Sequence, residues 1–141
     1  MKSLACLALV PVMMAAAPHG PAPSPVVTSE FVFEAAPFAS AHASTIVHTG
    51  AGLVAAWFGG TREGAADVGM WVSRHVDGKW TAPVEVATGV QADGTRHPCW
   101  NRVLFETRKG TLSLFYKVGP RPTTWWGMVR QSTDAGRTWS E

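Results

Sequence analysis

From about residue 44 onward, apolar positions come in short runs broken by Gly-, Asp- and Thr-containing turns, a spacing that fits strands and not helices. Ser44 to His48, Leu53 to Phe58, Val68 to Arg74 and Val84 to Ala87 read as four strands, followed by Val103 to Thr107, Leu112 to Val118 and Trp126 to Gln131. Shifted by 59 residues, Leu53-Val54-Ala55-Ala56-Trp57 falls on Leu112-Ser113-Leu114-Phe115-Tyr116, each after a Gly-containing turn. The same shift takes Ser73 to Ser132, Trp80 to Trp139 and His42 to Asn101. A four-stranded antiparallel unit repeated at fixed spacing is the sequence form of a β-propeller blade. A β-sandwich of about seven strands shows the same short strands, but has no reason to repeat. The pattern therefore predicts an all-β fold with one blade at about 43–90 and a second at about 100–141, which ends before its fourth strand.

The first 25 residues follow another pattern. Met1-Lys2-Ser3, an apolar run from Leu4 to Met14 and Ala15-Ala16-Ala17 have the layout of a signal peptide, and Pro18 to Pro25 reads as an extended, Pro-rich spacer. Residues 1–25 are thus expected to direct export to the periplasm or the exterior, with folded structure over 28–141. The leader's run is too short to span a bilayer, and no later stretch offers the roughly 20 apolar residues a span needs. Outside the leader only Cys99 remains, so no internal disulfide is expected. With no base placed beside it, Cys99 reads as a buried, inert thiol.

Composition narrows the function classes. The chain is 46% hydrophobic and 16% charged, with seven Trp and six Phe, which suits a packed, aromatic-rich β domain and not a disordered one. Twelve basic residues against ten acidic give +2, and they are scattered singly, so no nucleic-acid partner is expected. His48 and His75 stand outside any zinc spacing, and neither a metal nor an organic cofactor is expected.

One turn carries a specific motif. Ser132-Thr133-Asp134-Ala135-Gly136-Arg137-Thr138-Trp139 matches the Asp-box pattern Ser-x-Asp-x-Gly-x-Thr-Trp. Ser132 and Asp134 can bind nearby backbone N–H groups, Gly136 supplies a positive φ, Thr138 completes the pattern and Trp139 covers the hairpin. Ser73 to Trp80 reads as a degraded copy, with its Asp shifted to Asp77. Both are folding devices, so neither Asp134 nor Asp77 is expected to be catalytic.

With these motifs, Thr28 to Glu141 resembles the sialidase (neuraminidase) superfamily, and more narrowly its bacterial BNR-repeat branch. The resemblance implies a six-bladed β-propeller, of which this chain covers about the first two blades. It also implies an active site at the mouth of the central channel, with the Asp boxes on the outer rim. Sialidases open the first blade with Arg-Ile-Pro, whose Arg helps to clamp the sialic-acid carboxylate. Here Ser40-Ala41-His42-Ala43-Ser44-Thr45-Ile46 lacks that Arg and has His42 nearby. Phe58-Gly59-Gly60-Thr61-Arg62-Glu63-Gly64-Ala65-Ala66-Asp67 keeps the next elements, an Arg after the second strand and an acid/base Asp in the loop. The resemblance thus assigns Asp67 as catalytic and Arg62 as substrate-binding, with Glu63 as a second carboxylate for the same role. The plain alternative is an exposed loop ion pair of little consequence.

His42 and Asn101 should open the innermost strands that line the channel, with Arg96 and Trp100 beside them as donors and an aromatic plane suited to a sugar ring. Lys117, Arg121 and Trp125 follow the second blade's second strand, so Arg121 can reach the same mouth. Of the adjacent Trp125 and Trp126, one is expected only to pack. The expected activity is that of a secreted, exo-α-sialidase-type glycoside hydrolase acting on the terminal acidic sugar of a glycan or polysaccharide. The missing Arg also points to acidic or deoxy sugars other than sialic acid. In this family a Tyr activated by a Glu is the nucleophile, and both belong to later blades. Tyr116, the only tyrosine, reads as packing. Six such units need roughly 350 residues, so the chain is expected to be the front part of a longer protein and inactive alone. A non-catalytic carbohydrate-binding propeller and a structural secreted interaction module are the alternatives.

Overall fold

The structure, a computed structural model, describes residues 24–141. The leader, residues 1–17, lies outside the described residues, as does all of the spacer except its last two positions. Every strand falls in one compact unit, Phe31–Glu141. The strands are β1 (Ser40–Thr49), β2 (Gly52–Gly60), β3 (Gly69–Val76), β4 (Lys79–Trp80), β5 (Val84–Ala87), β6 (Cys99–Glu106), β7 (Leu112–Val118) and β8 (Trp126–Ser132). They form two antiparallel sheets. In the first, the order is β1-β2-β3-β4 with β5 also on β3, and in the second it is β6-β7-β8. One short 3-10 turn, Pro122–Thr124, interrupts the loop before β8.

The sheets meet face to face. Along β7, Leu112, Leu114, Tyr116 and Val118 are buried while Phe115 and Lys117 are exposed, the alternation of a strand with one covered face. They pack with Leu104 and Cys99 against Val54, Ala56, Phe58, Met70 and Val72 of the first sheet. The other face of β2 is covered as well. Phe33 lies 5.1 Å from the Trp57 ring and Phe38 4.7 Å from Trp71, which explains why β2 is apolar almost throughout. On the outer face of the second sheet Val103, Phe105, Phe115 and Val129 remain exposed. As the sequence indicates, Tyr116 is a core residue. Cys99 is a free, fully buried thiol, its pKa pushed up to about 12 by desolvation.

The ladders correct the repeat in detail. β1 and β6 begin at Ser40 and Cys99, earlier than their apolar runs, because each passes through a bulge at a residue with positive φ: Ala43 (44°) and Asn101 (28°). These two residues correspond, as do His42 and Trp100, which pair with Phe58 and Lys117. The shift in the first strand is therefore 58, and the counterpart of His42 is Trp100, not Asn101. The extra residue sits in the following turn, where Glu106 and Leu112 enclose one more position than His48 and Leu53.

The degraded Asp box is also corrected. Asp77 and Gly78 form a two-residue hairpin turn between Val76 and Lys79, both with positive φ (51° and 76°), the geometry of a type I′ turn. Ser73 donates to the Thr81 carbonyl at 2.6 Å and does not hold Asp77.

Candidate functional site

The full Asp box closes the end of the second sheet that β7 enters. Asp134 Oδ1 accepts the N–H groups of Arg137 (3.0 Å) and Thr138 (2.9 Å) and the Ser132 hydroxyl (2.7 Å), and Oδ2 accepts the Thr138 hydroxyl (2.7 Å). Ser132 Oγ also accepts the Gly136 N–H at 2.8 Å, and Trp139 packs on the core. These hydrogen bonds favour the ionised carboxylate and hold Asp134 well below the ordinary aspartate range, so its oxygens are occupied in closing the turn. Gly136 lies close to Val54 and Leu112, at the start of β2 and β7.

Aromatic and cationic side chains gather at the opposite end of the same strands, where β2 and β7 finish and β1 and β6 begin. The His42 ring stacks on Phe58 with centroids 5.8 Å apart, and Phe58 meets the Trp100 edge at 6.2 Å. Trp100 in turn lies 5.0 Å from Trp125. Two cations flank this row: Arg102 Cζ lies 5.2 Å from the Phe58 centroid and Lys117 Nζ 5.4 Å from that of Trp125. The Trp100 indole is fixed by a 2.7 Å hydrogen bond from Nε1 to the Gly119 carbonyl. Both sheets thus contribute to one aromatic row, far from the Asp box.

The loop between β2 and β3 leans onto this row. A Cβ on Gly64 would stand 3.3 Å from the Trp100 ring, and Glu63 Oε2 lies 3.8 Å from His42 Nδ1. Glu63 is therefore the carboxylate nearest the row. Asp67 accepts both the backbone N–H (2.9 Å) and the hydroxyl of Thr61. The Thr61 hydroxyl is the main reason that its carboxyl sits below the ordinary range, as an ionised, exposed aspartate. Asp67 lines a neighbouring cleft of about 300 Å³ with Phe38, Trp71, Glu85 and Arg96.

The candidates named from sequence thus divide. His42 and Trp100 come together through Phe58. Asn101 stands at the bulge, where its positive φ shapes the strand. Arg96 belongs to the Asp67 cleft, where Nη2 donates to the Asp67 carbonyl (2.9 Å) and to Glu85 (3.2 Å). Burial raises the pKa of Glu85 against the pull of Arg96. Arg62 and Arg121 are exposed, and among the described residues no hydrogen bond or ion pair joins their side chains to the row. The two adjacent tryptophans diverge, Trp125 to Trp100 and Trp126 to His97 at 5.7 Å. Arg102 went unnoticed in the sequence because Val103, Leu104 and Phe105 are all apolar and hide the strand's alternation. Recognition that β6 starts before Val103 would have placed it beside Leu104, on the covered face. Among the described residues no group of three or more His, Cys, Asp or Glu side chains is placed to hold a metal ion, and no helix is long and apolar enough to cross a membrane.

Comparison with known proteins agrees with this architecture. The chain is similar to a Hadza microbial sialidase, Hz136, with a TM-score of 0.60 and 19% identity over 70% of the chain and 24% of that protein. It is also similar to a protein of unknown function from Dyadobacter fermentans DSM 18053, with a TM-score of 0.56 and 21% identity over 79% of the chain and 38% of that protein. The chain thus spans well under half the length of either. No curated protein matches it. Residues 51–141 match the BNR repeat-like domain, well over half of the chain, and the protein belongs to that family with a sialidase-like fold.

Proposed function

We propose that the chain is part of an exported, six-bladed sialidase-like propeller, and that the row built by His42, Phe58, Trp100 and Trp125 receives the terminal acidic sugar of a glycan. The aromatic row carries this reading. Rings supplied by both sheets and flanked by Arg102 and Lys117 offer stacking surface and positive charge to one ligand, the combination that a ring-shaped anion requires. Export rests on the leader pattern of residues 1–17.

Hydrolysis is proposed of the whole protein, because the nucleophile that the family resemblance calls for has no counterpart here. Tyr116, the one tyrosine, is buried in the core. The loop between β2 and β3 supplies the proton-transfer group. Asp67 takes that role by resemblance. Glu63 is the second candidate, favoured by its position against His42. Arg62, in the same loop, and Arg121 are assigned to substrate binding at the rim, where their exposed guanidinium groups can move onto a ligand.

The test is hydrolysis of fluorogenic α-sialosides and β-uronides by the full-length gene product, with Asp67→Asn and Glu63→Gln assayed beside it. Loss of turnover in Asp67→Asn alone assigns the acid/base to Asp67, and loss in Glu63→Gln alone moves it to Glu63. Glycan binding without hydrolysis across the panel would replace the enzyme with a carbohydrate-binding propeller. Absence of both would leave a structural module.

A further inference from the structure

Arg96 joins two parts of the protein through one nitrogen. Its Nη2 carries two hydrogens and donates to the Asp67 carbonyl at 2.9 Å and to Glu85 Oε1 at 3.2 Å. The segment that carries Arg96 is itself fixed: Val90 pairs with Arg96, the Gln91 N–H donates to the Thr95 carbonyl at 2.8 Å, and the His97 N–H donates to the Gly89 carbonyl at 3.0 Å. Glu85 is fixed as well, on β5, with its carboxylate over Gly69, where a Cβ would collide with it. The loop of Asp67 closes two turns of its own, from the Ala65 N–H to the Arg62 carbonyl (3.1 Å) and from the Val68 N–H to the Ala65 carbonyl (3.0 Å), and neither engages the Asp67 carbonyl. Arg96 does so, from 29 positions along the chain. At the other end of the residue Thr61 holds Asp67 Oδ2, and among the described residues no hydrogen bond from another residue reaches Oδ1. Asp67 is thus held at its carbonyl and at one carboxylate oxygen, with the second oxygen unengaged.

An arginine that grips a ligand offers it an open fork, whereas here Nη2 is spent on the protein. We infer that Arg96 is a positioning residue: anchored by Glu85, it holds the Asp67 backbone so that the carboxylate stays on Thr61 with Oδ1 presented for proton transfer. Glu85 lies on β5, Arg96 just before β6, Asp67 in the loop between β2 and β3, and Thr61 at the end of β2, so the loop is tied down from two sides. The Thr61 hydroxyl leads in lowering the Asp67 pKa, and the Arg96 charge adds to it. Such a hold matters for catalysis because displacing a reacting group by about 1 Å can cost roughly a hundredfold in rate. The inference rests on the reading of Asp67 as the acid/base, and it replaces the substrate contact expected of Arg96 from sequence.

Two measurements test this hold. In the chain itself, a carbon-detected NMR titration of Asp67 should show a raised midpoint in Arg96→Met and in Arg96→Gln, and an unmoved midpoint in either folded variant overturns the inference. In the full-length gene product, assayed with fluorogenic α-sialosides and β-uronides, Arg96→Met should lower kcat by roughly tenfold to a hundredfold and leave KM unchanged. A substrate contact would instead raise KM with kcat kept, and that result returns Arg96 to the binding surface. Glu85→Gln, of the same shape as the wild type, should show the same split in smaller measure and carries the test should Arg96→Met fail to fold. The double variant Glu85→Gln/Arg96→Met should be no slower than Arg96→Met, because both act through one contact, and losses that multiply overturn the link to Glu85. Turnover that survives Asp67→Asn, or none in the wild type, removes the acid/base reading, and the titration then decides alone whether Arg96 holds Asp67.

Discussion

Gly64, in the loop between β2 and β3, faces Trp100 of the second sheet: a Cβ on Gly64 would stand 3.3 Å from the Trp100 ring, and Gly64 has a φ of +79°. This contact seats the loop that carries Arg62, Glu63 and Asp67 on the aromatic row. Gly64→Ala meets two obstacles, a left-handed backbone and a ring in the way. It is expected to cost about 1–2 kcal/mol of stability in chemical denaturation and to weaken glycan binding by lifting the loop. Wild-type stability and affinity in this variant would show that the loop is not seated there.

Thr61 helps to hold the Asp67 pKa below the ordinary range. Its hydroxyl is the leading cause of the lowered Asp67 pKa, so Thr61→Val should raise that pKa toward the ordinary aspartate range in a carbon-detected NMR titration. The sign for stability follows. A depressed carboxylate stabilises the fold above the unfolded-state pKa and loses that contribution as pH falls through the folded-state value. The variant should therefore lose less stability on acidification than the wild type. An unmoved Asp67 titration would assign the shift to the backbone N–H instead.

The Asp box obeys the same rule at the other end of the strands. Ser132 is 2% exposed and its hydroxyl serves both Asp134 and Gly136. Ser132→Ala should destabilise by about 1–3 kcal/mol through unmet buried hydrogen bonds. Asp134→Asn should differ most from the wild type at neutral pH, and the gap should narrow as pH falls from about 4, where the carboxylate of the unfolded chain takes up its proton, toward the much lower value of the folded state. Glycan binding at neutral pH should persist in both folded variants, since the box lies away from the mouth.

Gly89 admits no side chain. A Cβ there would stand 1.8 Å from the His97 carbonyl oxygen, and the Gly89 carbonyl accepts the His97 N–H at 3.0 Å. Gly89→Ala must separate the two segments, at a cost of about 3 kcal/mol or more. A melting temperature within a degree or two of the wild type's would show that this crossing is loosely held.

How much of this was legible in the sequence depends on how local the signal is. Leu112 to Val118 was bounded correctly because alternation and a Gly-containing turn mark a strand whose one face is covered. The Asp box was legible down to its hydrogen bonds, since Ser132, Asp134 and Thr138 satisfy one another within a single turn. Ser73 matched Ser132 in spacing only. A two-residue Asp77-Gly78 turn needs no box, and a fixed shift cannot register turns of different length.

The sequence alone determined the all-β class, the repeat and the family, because each follows from periodicity or from contacts among near neighbours. Tertiary structure decided the site. It aligned Ala43 with Asn101 through two bulges, paired Arg96 with Glu85 away from the row, and set Glu63 rather than Asp67 against His42. It also buried Arg102 beside Phe58, 44 positions away in the chain. Such contacts depend on which faces of two sheets meet, and that is fixed by ladder register and packing, which no single strand records.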